Sequence, residues 1–165
     1  MGINFGNMEK ANDLLVKAGL QPVSKSSLLF YYMPMKGVIS YTMLASQMLT
    51  PELYQDVTIF RFFGIPQYIS LTNACLVNSL TGTALYLYSR PHLAKAAPKE
   101  RILFCAFGST IFNLGSMLAW ALGSTVAPGS PALRFLMGVG GAVGRGTVCG
   151  KRYIAHVDSQ VKIKE

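Results

Sequence analysis

Hydrophobic positions along this chain gather into four runs, and the two longest carry no charge. Residues 62–89 and 102–133 contain no Asp, Glu, Lys or Arg, and they flank a basic loop from Arg90 to Arg101. Each exceeds the roughly 20 apolar residues that cross a hydrocarbon layer about 30 Å thick. Within them the pattern predicts helices over 65–88 and 102–126. Pro66 opens the first, and Pro128, Gly129 and Pro131 close the second. A third run, 27–49, holds Leu28, Leu29, Phe30, Tyr31 and Tyr32, then Val38, Ile39, Met43 and Leu44, with Pro34 and Lys36 between them. A lysine at the centre of a span costs roughly 2.5–3.5 kcal/mol, which the surrounding apolar residues offset. A proline kink is tolerated in a membrane helix. The fourth run, 135–150, is short and glycine-rich and encloses Arg145.

Two further segments are amphipathic. In residues 1–25, Asn7 is positioned as an N-cap, and Met8, Ala11, Leu14, Leu15 and Ala18 share one helical face. Glu9, Lys10, Asp13 and Lys17 occupy the other face, and Gly19, Leu20 and Pro22 form a stop signal. Thr50, Pro51 and Glu52 spell a helix start, with Leu53, Val57 and Phe60 following on one face. Both helices are too polar to span and are expected to lie on a membrane surface. The fold class predicted is an all-α integral membrane protein with about four transmembrane helices plus the N-terminal and 51–63 surface helices. It divides into an arm (1–25), a helical membrane domain (26–150) and a basic tail (151–165).

The distribution of basic residues agrees with that layout. Four crossings place Lys10, Lys17, Lys25, Arg90, Lys95, Lys99, Arg101, Lys151, Arg152, Lys162 and Lys164 on one side and only Arg61 and Arg134 on the other. This eleven-to-two asymmetry is the positive-inside signature, with both termini inside. Composition points the same way. The 165 residues are 51% hydrophobic and 13% charged, about half the usual charged share. The net charge of +8 sits between runs and at the ends rather than on a basic face with aromatic platforms, so anionic lipids rather than nucleic acid are the expected partners.

Chemistry is sparse. Cys75, Cys105 and Cys149 are far apart, without a CxxC pair, and read as small core residues. His92 and His156 have no Cys or acid at ligand spacing. Residues 138–144 imitate a dinucleotide loop but place Val143 where the third glycine belongs. Gly150, Lys151 and Arg152 lack the upstream glycine and the following Ser or Thr of a P-loop. No catalytic residues, metal site or cofactor are expected.

Three sets of residues stand out instead. Small residues repeat at four-residue spacing, Gly115, Ala119 and Gly123 in one run and Gly138, Ala142, Gly146 and Gly150 in another. Such ridges let helix backbones approach closely, against each other or against partner helices. Residues 65–88 carry Gln67, Ser70, Thr72, Asn73, Asn78, Ser79, Thr81 and Thr83, polar groups that lipid cannot satisfy. They serve either as glue between helices or as the lining of a solute path. Lys36, Arg90, Lys95, Arg145, Lys151 and Arg152 are placed to meet lipid headgroups or an acidic partner.

The functional expectation is a non-catalytic accessory subunit packed among other subunits of a large membrane complex. The expected host is a respiratory-chain or ATP-synthase assembly of the mitochondrial inner membrane, with the endoplasmic reticulum or another membrane as the alternative site. The competing function is a small channel or carrier lined by the polar second run.

Overall fold

The structure, a computed structural model, describes residues 12–54, 70–127 and 129–162, of which 86% are helical and none lies in a strand. Helix α1 (12–17) ends at Gly19, whose φ of 76° suits a residue without a Cβ. Gly19 N–H reaches the Val16 carbonyl and Leu20 N–H the Leu15 carbonyl, a Schellman closure that satisfies the terminal carbonyls. The N-terminal positions Asn7, Met8, Glu9, Lys10 and Ala11 lie outside the described residues.

The next helix starts at a reciprocal cap. In α2 (Lys25–Ser27) the Ser24 hydroxyl accepts from Ser27 N–H, and the Ser27 hydroxyl accepts from Ser24 N–H. The chain continues through a π-helical turn, Leu28–Tyr32, into α3 (Met33–Leu49). The turn has a cause. Pro34 has no N–H to offer the carbonyl of Phe30, and Met33 N–H instead reaches Leu28 O, five residues back. At the far end, Thr50 stands as the N-cap of a short 3₁₀ helix, at the predicted helix start. It also caps α3, with its N–H and hydroxyl both donating to Ser46 O. Only the 3₁₀ turn Pro51–Leu53 follows, and 55–63 of the expected surface helix lie outside the described residues.

Helix α4 (Leu71–Tyr88) is capped by the Ser70 hydroxyl, which accepts from Asn73 N–H. The predicted basic loop contains one short turn, α5 (Pro91–Ala94). Helix α6 (Pro98–Val126) starts four residues before its predicted boundary, with Pro98 at the first turn and Glu100 near the positive end of the dipole. Helix α7 (Pro131–Val143) passes through a glycine-rich π-helical stretch, Gly144–Gly150, into α8 (Lys151–Lys162).

Helix α3 is the hub, and α4, α6 and α7 pack around it. The tightest crossing is between glycines. A Cβ built on Gly37 would lie 2.8 Å from the Gly82 Cα, and one on Gly82 would lie 2.7 Å from the Gly37 Cα. Gly37 sits near the start of α3 and Gly82 near the end of α4, so the two helices run antiparallel. Gly138 of α7 meets the backbone of Ala45 and Ser46, and Gly146 meets the Tyr41 ring, so α7 is antiparallel to α3 as well. Tyr41, Ala45, Leu49, Trp120 and Ala142 form the buried apolar cluster, with Met48, Phe112 and Ala127 against it.

The four-crossing prediction is not supported. Among the described residues one helix, α6, is long and apolar enough to cross a membrane. Helix α3 has 17 residues, with Lys36 among them, and starts only after the π turn. The 18 residues of α4 are diluted by Asn73, Asn78, Ser79, Thr81 and Thr83. Helix α7 has 13 residues before the chain turns π-helical, and Arg134 and Arg145 interrupt the apolar run that it and the π-helical stretch carry.

Candidate functional site

The most ordered polar chemistry lies between α4 and α6. The Ser79 hydroxyl donates to Asn113 Oδ1, and Asn113 Nδ2 donates to Ser109 O at 2.8 Å and to Thr83 Oγ1 at 3.4 Å. The Ser109 hydroxyl donates to Leu80 O, and that of Thr83 to Ser79 O. Asn113 is 0% exposed, Ser79 1% and Ser109 2%. The carboxamide of Asn113 therefore uses its oxygen and both N–H groups, and the cost of burying it is offset by the bonds it makes. The result is a closed polar seam rather than a row of groups facing an open path.

The polar residues singled out in 65–88 divide across this geometry. Ser79 and Thr83 enter the seam. Ser70 is the α4 cap, Asn73 is exposed, Asn78 is half-buried, and Gln67 lies outside the described residues. Ser109 and Asn113 were not singled out, although a carboxamide inside an otherwise apolar run is the signal that could have found them.

The small-residue ridges divide too. Gly138 and Ala142 are buried against α3. Gly141, between them in sequence, faces the Trp120 ring of α6. Gly146 is in ordinary contact with Tyr41, and Gly150 is half-buried. Around Gly115 and Gly123 a Cβ would meet nothing within 4 Å, and Ala119 is half-buried on the same helix. Among the described glycines, Gly37 and Gly82 make the closest approach of backbone to backbone, and they belong to no repeat.

A second polar grouping closes the end of the bundle where α3 and α6 begin and α4 ends. The Arg90 guanidinium lies 4.2 Å from the Tyr86 ring centroid, and that of Arg101 lies 3.9 Å from the Tyr88 ring centroid. Arg101 also donates to the Tyr88 carbonyl. Phe30 stacks on Tyr88, and Tyr31 meets Tyr32 edge to face. Asp158 of α8 lies 2.6 Å from His92 Nδ1, accepts from His92 N–H at 3.2 Å, and approaches Arg90 Nη1 at 3.9 Å. No acid lies near His92 along the chain, and the fold supplies one from 66 positions away. Among the described residues no three His, Cys, Asp or Glu side chains gather as a metal site.

The remaining basic candidates are spread out. Lys36 is exposed on α3, Lys95 in the basic loop, and Lys151 and Arg152 on α8. Arg145 falls in the π-helical stretch, and its side chain lies outside the described residues. At the opposite end Glu52 and Arg134 pair at 3.8 Å across the start of α7. Comparison with protein-family models, curated proteins and solved structures returns no match for this chain.

Proposed function

We propose that this chain is a non-catalytic accessory subunit of a larger membrane protein complex, with α6 crossing the bilayer. One observation carries the reading: large apolar side chains stay exposed around a bundle that buries small polar ones beside its apolar cluster. Its least exposed polar side chains are Asn113, Ser79, Ser109, Ser46 and Thr50, while Leu103, Phe107, Leu118, Leu122 and Val126 of α6 are each more than 60% exposed. Leaving a Leu or Phe side chain hydrated forgoes about 1.5–3 kcal/mol. Contiguous apolar surface on this scale marks a face that a membrane or a protein partner covers. Met35, Val38, Ile39 and Met43 on α3 and Phe135, Leu136 and Met137 on α7 extend that surface around the bundle.

The accessory role is favoured over a channel because Ser79, Thr83, Ser109 and Asn113 are occupied by one another. A host among the respiratory-chain or ATP-synthase assemblies of the mitochondrial inner membrane is proposed from class analogy and from the basic charge. Alkaline carbonate extraction followed by native electrophoresis in mild detergent tests the reading. The chain is expected to stay in the membrane pellet and then to migrate far above 17.9 kDa. Release by carbonate contradicts the membrane assignment, and migration at monomer mass contradicts the subunit assignment.

A further inference from the structure

The segment between α1 and α3 folds over the end of α4 and leaves a cleft of about 380 Å³. Arg90 forms one wall. Ser24, Ser26 and Ser27 form another, and Phe30 and Tyr31 supply aromatic surface. The cleft is open on one side, and Leu28 and Leu29, 52% and 46% exposed, continue the chain beside it.

The state of Arg90 sets this cleft apart. A guanidinium carries five N–H donors. Among the described residues Arg90, like Arg101, has its Nε buried without a hydrogen-bond partner. Its one ionic contact is the Asp158 carboxylate at 3.9 Å, beyond hydrogen-bond length, and the Asp158 Oδ1 atom is taken by His92 at 2.6 Å. The guanidinium carbon also lies 4.2 Å from the Tyr86 ring centroid. The Arg90 side chain is 33% exposed where it lines the cleft, so its planar fork can meet the oxygens of an anion there. Ser24 and Ser27 are spent on their mutual cap, but the Ser26 hydroxyl is exposed on the cleft and bonds nothing among the described residues.

We infer that this cleft binds a phosphate ester, its oxygens held by the Arg90 guanidinium and the Ser26 hydroxyl and its organic part resting on Phe30 and Tyr31. Arginine presents a planar fork that matches phosphate bidentately. Two sources supply that chemistry, an anionic phospholipid headgroup and a soluble glycerol phosphate. The lipid source rests on the membrane reading above, and several features fit it. Tyr31, Tyr32, Tyr86 and Tyr88 crowd the same end as Arg90 and Arg101, the aromatic-and-basic composition of a membrane interface. Leu28 and Leu29 would lie along the acyl chains.

The test uses the full chain purified in mild detergent. Native mass spectrometry measures binding of phosphatidylglycerol and, separately, of glycerol phosphate. Arg90→Gln is expected to weaken the bound form about tenfold or more, the loss of a charge-assisted hydrogen bond. Ser26→Phe, which fills the cleft from an exposed position and leaves the guanidinium intact, is expected to do the same. Lys99→Gln removes an equal charge from an exposed site outside the cleft and is expected to change binding little. Phosphatidylglycerol binding with this pattern assigns the lipid source, and glycerol phosphate binding with this pattern assigns the soluble one. Equal binding by wild type, Arg90→Gln and Ser26→Phe overturns the site, as does an equal loss in Lys99→Gln. Carbonate extraction reports on the membrane reading independently, since the glycerol phosphate arm does not require a bilayer.

Discussion

Single residues decide how closely these helices approach. Gly37 and Gly82 touch backbone to backbone, so any side chain at either position must separate α3 from α4. Overpacking of this kind costs about 1–3 kcal/mol or more. Gly82→Val is therefore expected to lower the thermal midpoint in detergent by several degrees. Gly115→Ala, in open space, is expected to leave it level or raise it slightly, because alanine favours helix by up to about 1 kcal/mol over glycine. Equal losses at both positions would refute the crossing. The seam makes a second residue-level prediction. A double-mutant cycle on Ser79→Ala and Asn113→Ala should return a coupling of about 0.5–1.5 kcal/mol, the net worth of a typical intramolecular hydrogen bond. A coupling near zero would show that the bond contributes nothing.

At the scale of elements, the sequence disclosed which segments are helical more readily than how the helices pair. Apolar runs and their proline and glycine boundaries located α6, and Gly19 marked the end of α1. Helix pairing was not legible, because it depends on which faces meet. A lone glycine such as Gly37 looks unremarkable until Gly82 is opposite it. Crossing length is overestimated because absence of charge is a looser criterion than apolarity: α4 begins only at Leu71, and Asn73, Asn78, Ser79, Thr81 and Thr83 dilute its 18 residues. Pro51 and Glu52 mark the start of the short 3₁₀ helix at Thr50, but nothing in their pattern signals that the Thr50 hydroxyl bonds backwards to Ser46.

The exposed face of α6 yields the element-level prediction. Leu118 and Leu122 are each 63% exposed, so Leu118→Lys removes little internal packing. In the bilayer that lysine costs about 2.5–3.5 kcal/mol at the helix centre. The variant is expected to lose membrane retention while keeping its helical circular dichroism in detergent. Retention at the wild-type level would mean that this face meets neither lipid nor an apolar partner. Helix α8 gives another. Asp158→Asn weakens the contacts to Arg90 and His92 that hold α8 against α5, and limited proteolysis should then cut α8 sooner than in wild type. Unchanged cleavage would show that other contacts hold it.

At the scale of the whole molecule, buried small polar side chains lie beside the apolar cluster while large apolar side chains line the outside of α6, and Arg90, Arg101, Tyr86 and Tyr88 gather at one end. Composition hinted at this, with 51% hydrophobic residues, but only the fold shows that Asn113 is fully enclosed while Leu118 is not. The most direct test replaces Leu118 with cysteine in a Cys149→Ser background, since Cys149 is exposed while Cys75 and Cys105 are buried. A matched chain carries Lys99→Cys. Both are exposed to a water-soluble maleimide in native membranes. The account predicts that the cysteine at position 99 is labelled and the one at 118 reacts only after denaturation. Labelling at 118 as fast as at 99 in the native sample would contradict it.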